Sequence, residues 1–93
     1  MTVGLLSIEL FLPSSRSLKD KRMVLRRLKD RIGALNVSVA EVAHQDLWQR
    51  AGLAVVTVAD SDQGVERRLT SVRDTIERLE PDLVTDSQIE LLR

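Results

Sequence analysis

The sequence predicts an α+β plait of the ferredoxin-like kind. Two helices cover one face of a four-stranded antiparallel sheet of order 4-1-3-2. Three observations predict it. Hydrophobic periodicity changes along the 93 residues in the order β-α-β-β-α-β. The two helical segments have similar lengths, so both fit on one face of one sheet. Right-handed crossovers through those helices then lead to this strand order. A chain of this length holds one domain, spanning residues 1–93.

The elements follow in turn. In residues 2–12 the alternate set Leu6, Ile8, Leu10 and Leu12 is uniformly apolar, which makes a strand with one face on a core. The other set, Val3, Leu5, Ser7, Glu9 and Phe11, is mixed. Pro13, Ser14 and Ser15 break the strand. Ser17 is placed to cap a helix, with Asp20 in the capping-box position three residues on. Leu18, Val24, Leu25, Leu28, Ile32 and Leu35 recur at helical spacing, and Gly33 is the expected stop. Residues 36–43 form a Val-rich second strand, and residues 45–50 a short polar connection that carries Trp48. Residues 51–59 run continuously in Val, Ala and Leu, which suits a central third strand. Asp60, Ser61 and Asp62 open a second helix with the stripe Val65, Leu69, Val72, Ile76 and Leu79, and Pro81 ends it. Residues 83–92 supply the last strand, with Ile89 and Leu91 inward.

Composition narrows the class. Phe11 and Trp48 are the only aromatics, so the core is expected from Leu, Val, Ile and Ala. The chain has no cysteine, which removes disulfides, thiolate metal sites and a cysteine nucleophile. That also suits a reducing cytoplasm, the expected location. No apolar run is long enough for a membrane span, and the N-terminus lacks the pattern of a signal peptide. No membrane partner is expected.

Charge is the informative feature. Net charge is zero, yet residues 16–31 hold eight of the fourteen Lys and Arg against only Asp20 and Asp30. Lys19, Arg22, Arg26 and Lys29 recur at spacings of three, four and three. They form a stripe roughly 15 Å long, about 120° from the centre of the apolar face. On the second helix Glu66, Glu77 and Glu80 form an acidic flank about 90° from its apolar centre. In a right-handed plait both flanks should point outward, the basic one over the second strand and the acidic one over the fourth. The stripe has three readings, a solvated face, a phosphate-rich partner, and an acidic protein partner such as the acidic flank of another copy, because like-charge stacking costs only a few tenths of a kcal/mol per pair and is tolerated without a function.

Other residues have a bland and a sharp account. Ser14, Ser15, Arg16 and Ser17 precede the first helix and either hold an anion at its free N–H groups or simply make a turn with a capping serine. Lys21 falls near the centre of the apolar face, either snorkelling or placing a cation near the strand ends. His44 lies near Glu41 and Asp46 in sequence, but a lone histidine is weak grounds for a metal and fits a strand-end role. Asp60 and Asp62 fit helix capping better than acid–base work. Trp48 either pins the hairpin to the body or serves as a binding residue. No nucleotide loop, metal cluster or Ser-His-Asp signature is present, so no enzyme and no cofactor are expected. The third strand has no aromatic, so any RNA binding falls to the basic helix rather than to the sheet. The outer sheet face would show Leu5, Phe11 and apolar positions of the third strand, a surface suited to burial in a dimer.

Three segments together, RSLKDKR (residues 16–22), NVSVAEV (36–42) and QDLWQRA (45–51), resemble the YlxP-like family of small bacterial proteins, a domain of unknown function. The resemblance covers essentially the whole chain and implies a ferredoxin-like fold. Family genes often stand among those for transcription termination, translation initiation and ribosome maturation, which implies an RNA- or ribosome-linked role by association. It brings no activity and no catalytic residue. The expectation is an accessory factor that binds ribosomal or other structured RNA, with Arg16, Lys19, Lys21, Arg22, Arg26 and Lys29 as candidate contacts. Of these, Arg26 and Lys29 lie outside the matching segments and rest on helix geometry. The alternative is a homodimer or protein-interaction adaptor without nucleic-acid binding, using Leu5, Phe11 and Trp48.

Overall fold

The computed structural model describes residues 1–92. The chain runs β1 (Thr2–Phe11), α1 (Leu18–Gly33), β2 (Ser38–Ala43), β3 (Arg50–Ala59), α2 (Asp62–Leu79) and β4 (Val84–Leu92). The sheet order is β2-β3-β1-β4 with every neighbouring pair antiparallel, the predicted order read from the other edge.

Register explains the core. Leu6 stands opposite Val55 on β3 and Ile89 on β4, and Ile8 opposite Leu53. Leu6, Ile8, Leu53 and Val55 are buried against Leu25, Leu28 and Ile32 of α1 and Val65, Leu69, Val72 and Ile76 of α2, and the half-buried Ile89 packs on this cluster. Each fully buried aliphatic side chain contributes roughly 1.5–3 kcal/mol. Neither aromatic belongs to this cluster. Gly4 lets α2 settle on β1, since a Cβ there would overlap Val65 Cγ1 and lie 2.9 Å from Leu69 Cδ1.

Local signals set the element ends. Ser17 caps α1 by accepting from the Asp20 amide at 3.0 Å. Asp20 reaches back one residue further than a standard box, accepting from the Arg16 amide at 3.0 Å. Gly33 is the last residue of α1 rather than the turn after it. The left-handed turn falls at Asn36 (φ 65°), so β2 begins at Ser38, two residues later than predicted. Ser61 caps α2, accepting from the Gly64 amide at 3.0 Å. Asp62 does not cap; it accepts from Thr2 Oγ1 at 2.6 Å and ties the start of β1 to α2.

The end of β1, the start of α1, the β2–β3 loop and the α2–β4 turn converge at one end of the plait. Leu12 N donates to Gln49 O at 2.8 Å, and Phe11 N to Leu83 O at 2.8 Å. No described helix is long and apolar enough to cross a membrane.

Candidate functional site

The basic stripe lies on the flank of α1 that faces away from α2. Arg27 marks the opposite flank, where its guanidinium pairs with Glu80 at 2.9 Å. Lys19, Arg22, Arg26 and Lys29 are rotated from Arg27 by about 120° on average. Lys19, Arg22 and Arg26 are exposed and Lys29 is half-buried. None of the four has an ion-pair or hydrogen-bond partner for its cation among the described residues. α1 rests on β2, so this flank runs along the β2 edge of the sheet. Arg16 is exposed at its N-terminal end.

Lys21 does not join the stripe. It is 1% exposed, and its ammonium donates to His44 O at 2.9 Å, Gln45 O at 3.3 Å and Arg50 O at 3.3 Å. Glu41 Oε2 lies 2.9 Å from the same nitrogen. That oxygen is itself out of solvent and forms no well-aligned hydrogen bond among the described residues, so the contact is an ion pair. A phosphate has no route to Lys21. The expected cation near the strand ends is there, but the chain's own carbonyls and Glu41 consume its donors. The reason is reach: the long stem spans from the apolar face of α1 to the open ends of β2 and β3, where carbonyls lack ladder partners.

The acidic flank also departs from expectation. Glu66 and Glu77 are exposed. Glu80 turns toward α1 rather than over β4, because it is the C-cap of α2 with φ −134° and ψ 82°. The helical rotation no longer applies to a residue that has left the helix.

The serines before α1 behave as the bland account has it. Ser15 is buried and its hydroxyl donates to Ser17 O at 3.1 Å, while Ser17 serves the cap. His44 has a partner that sequence proximity did not suggest. It sits in a left-handed turn (φ 62°), and its Nε2 lies 3.0 Å from Glu9 Oε2, across the outer face of the sheet. Arg50 approaches the same carboxylate at 3.5 Å. Gly52, opposite Glu9, makes room for this, since a Cβ would lie 2.7 Å from Ala43 Cβ and 3.4 Å from Glu9 Oε1.

Of the three interaction candidates, the structure unites two. Phe11 and Trp48 are 44% and 54% exposed and line one open depression with Leu47 and Arg50. Trp48 therefore does not pin the hairpin to the body. That task falls to Gln49, whose Nε2 donates to Pro13 O at 3.1 Å and Ser15 O at 3.2 Å. Leu5 lies further along β1, opposite Val56, in a separate apolar patch with Val3, Val58 and Leu92. Sequence reasoning missed Glu9, Glu41 and Gln49 as organisers of this end. The one signal for Glu41 was a carboxylate in an inward position of an otherwise Val- and Ala-rich strand.

No group of three or more His, Asp or Glu among the described residues is arranged to hold a metal ion. The molecule is thus an α+β plait of ferredoxin-like fold with one border lined by cations that have no partner among the described residues. Residues 3–89 match the family model described as a protein of unknown function, DUF503, and the chain belongs to that family. It is 35% identical over 71 residues to the uncharacterized protein YlxP of Bacillus subtilis (strain 168), covering 75% of this chain and 77% of that one. Among solved structures, it resembles a de novo designed protein with a ferredoxin fold (TM-score 0.55, 12% identity, 99% of this chain and 83% of that one). It also resembles a REP-associated tyrosine transposase bound to a REP hairpin (TM-score 0.55, 10% identity, 98% of this chain and 56% of that one). At these identities the likeness is one of fold alone.

Proposed function

We propose that this protein is an RNA- or ribosome-associated accessory factor of the cytoplasm that holds phosphates along the β2 border of α1. It acts by binding, not by catalysis. One observation supports the reading above the others: Lys19, Arg22, Arg26 and Lys29 share a flank and have no carboxylate of their own chain against them, among the described residues. Their rise of roughly 15 Å along the helix matches a run of successive phosphates rather than one small anion. A free cation ridge on a protein of zero net charge attracts a polyanion locally without a general affinity for acidic surfaces.

The test is binding of structured ribosomal RNA fragments by the wild type and by a variant carrying Lys19→Glu, Arg22→Glu, Arg26→Glu and Lys29→Glu. Wild-type affinity should fall with salt at a log–log slope of about −3, as four phosphate contacts require. The variant should lose that salt-dependent binding. Equal affinity of the two proteins removes the reading.

A second reading, self-association, is favoured by a different surface. Val56, Val58 and Leu92 are exposed and stand beside Val3 and Leu5 on the uncovered sheet face. Light scattering at high micromolar concentration separates the two: a dimer supports it, and a monomer removes it.

A further inference from the structure

We infer that the end of the plait carrying the β2–β3 loop stacks an unpaired base on Trp48, so that the RNA taken by the α1 border is one with single-stranded nucleotides rather than a continuous duplex. The inference rests on the reading of α1 given above and names the class of RNA it would take.

Both aromatic residues of the chain, Phe11 and Trp48, line the same surface depression of about 400 Å³. Aromatic side chains bury large areas and ordinarily serve a core. Here the core is wholly aliphatic, and both aromatics are left half-exposed at one spot. Leu47, also exposed, adjoins them, which gives an open, largely apolar platform with aromatic rings on which a base can stack.

The platform is held in place. Gln49 fastens the loop to the chain before α1 through Pro13 O and Ser15 O. Lys21 fastens it from below through His44 O, Gln45 O and Arg50 O. Leu47 N donates to His44 O at 3.0 Å and closes the turn. A ring presented on so tied a loop loses little freedom on stacking.

The platform lies at the end of the plait where α1 and its basic ridge begin. Trp48 is next in sequence to Gln49 and Arg16 is next to Ser15, and Gln49 and Ser15 are hydrogen-bonded to each other. Lys21, which holds the loop, is flanked one residue on by Arg22 of the ridge. A strand with phosphates on Arg26, Arg22 and Lys19 runs toward the N-terminal end of α1, the end to which Gln49 fastens the loop. Asp46, the carboxylate at the depression, repels a phosphate from it but accepts from an exocyclic amino group of a base. Base faces are free only where the nucleic acid is unpaired, because a duplex stacks them internally.

Trp48 is the only tryptophan and the chain has no tyrosine, so intrinsic emission reports on this one ring. The probes are a single-stranded oligoribonucleotide of mixed sequence and a blunt RNA duplex of equal length. The single strand should quench Trp48 emission saturably, and the duplex should not. Trp48→Ala should weaken single-strand binding about tenfold and leave duplex binding unchanged, while Trp48→Phe restores most of the loss. Single-strand binding with unaltered emission, or with wild-type affinity in Trp48→Ala, overturns the inference. The α1 charge-reversal variant separates the two failures. Ridge-dependent binding with a silent Trp48 overturns only the stacking, and wild-type binding by the charge-reversal variant overturns the α1 reading. Absence of binding to both RNAs overturns both.

Discussion

The inner face and the outer flank of α1 carry the same kind of side chain to opposite ends. Lys21 and Lys19 are two residues apart, yet one ammonium is sealed in and the other has no partner among the described residues. What differs is the surroundings within reach. Inward, the stem of Lys21 ends among three strand-end carbonyls and Glu41. Outward, Lys19 and its ridge meet no acid among the described residues, because Glu41 points under the helix and Glu80 points to Arg27 on the far flank. Five of the eight cations on this short segment thus form two devices, Lys21 a structural clamp and Lys19, Arg22, Arg26 and Lys29 a ridge without a partner among the described residues, while Arg27 is tied to Glu80. Conservative-looking changes within it should differ greatly in effect.

The largest break in this comparison is Lys21→Met. It keeps the stem and removes the charge, so Glu41 Oε2 loses its ion pair and the carbonyls of His44, Gln45 and Arg50 lose this donor, although His44 O keeps its bond from Leu47 N. A loss of about 3 kcal/mol is expected, which corresponds to a fall in Tm on the order of 15 °C. Chemical denaturation measures it directly. A loss below about 1 kcal/mol would mean that the ammonium is not truly desolvated. Glu41→Gln in the Lys21→Met background should cost less than the same change in the wild type, since one loss already contains the other.

Arg27→Ala tests the opposite flank. The Arg27–Glu80 pair is open to water, so its removal should cost only 0.2–1 kcal/mol, the span of exposed pairs (about 0.5 as a central value). The loss should shrink in high salt. A larger loss, insensitive to salt, would show that the two helices depend on this contact.

Smallest is the effect of the ridge on folding. Lys19→Ala, Arg22→Ala and Arg26→Ala should each shift stability by no more than about 0.5 kcal/mol. The sign can be favourable, since each removes a like-charge neighbour at i,i+3 or i,i+4. A variant that folds as the wild type but fails to bind RNA keeps the two devices of α1 separate. Substantial destabilisation by any one of them would merge them.

Much of the fold was legible residue by residue. Leu6, Ile8, Leu10 and Leu12 alternate because a strand alternates, and all four are buried as the pattern requires. Val65, Leu69, Val72 and Ile76 are likewise the buried face of α2. Ser17 was legible as a cap because capping involves only neighbours along the chain. The ridge was legible in direction, since Lys19, Arg22, Arg26 and Lys29 follow a fixed rotation. Glu80 was not, because it had left the helix whose rotation placed it. The Phe11–Trp48 depression was equally hidden, as a β-strand and a hairpin tip meet there from far apart in sequence.

Element order and the facing of side chains within regular elements were therefore decided by periodicity and capping, which act over a few residues, and strand order followed from the handedness of the crossovers. Only the tertiary structure decided what each side chain would meet. Glu41 meets Lys21, Glu9 meets His44, Gln49 meets Ser15, and the two aromatics share one hollow. A rotation or an alternation sets a direction. The partner in that direction comes from another element, brought there by packing of the aliphatic core, and so lies outside any local pattern.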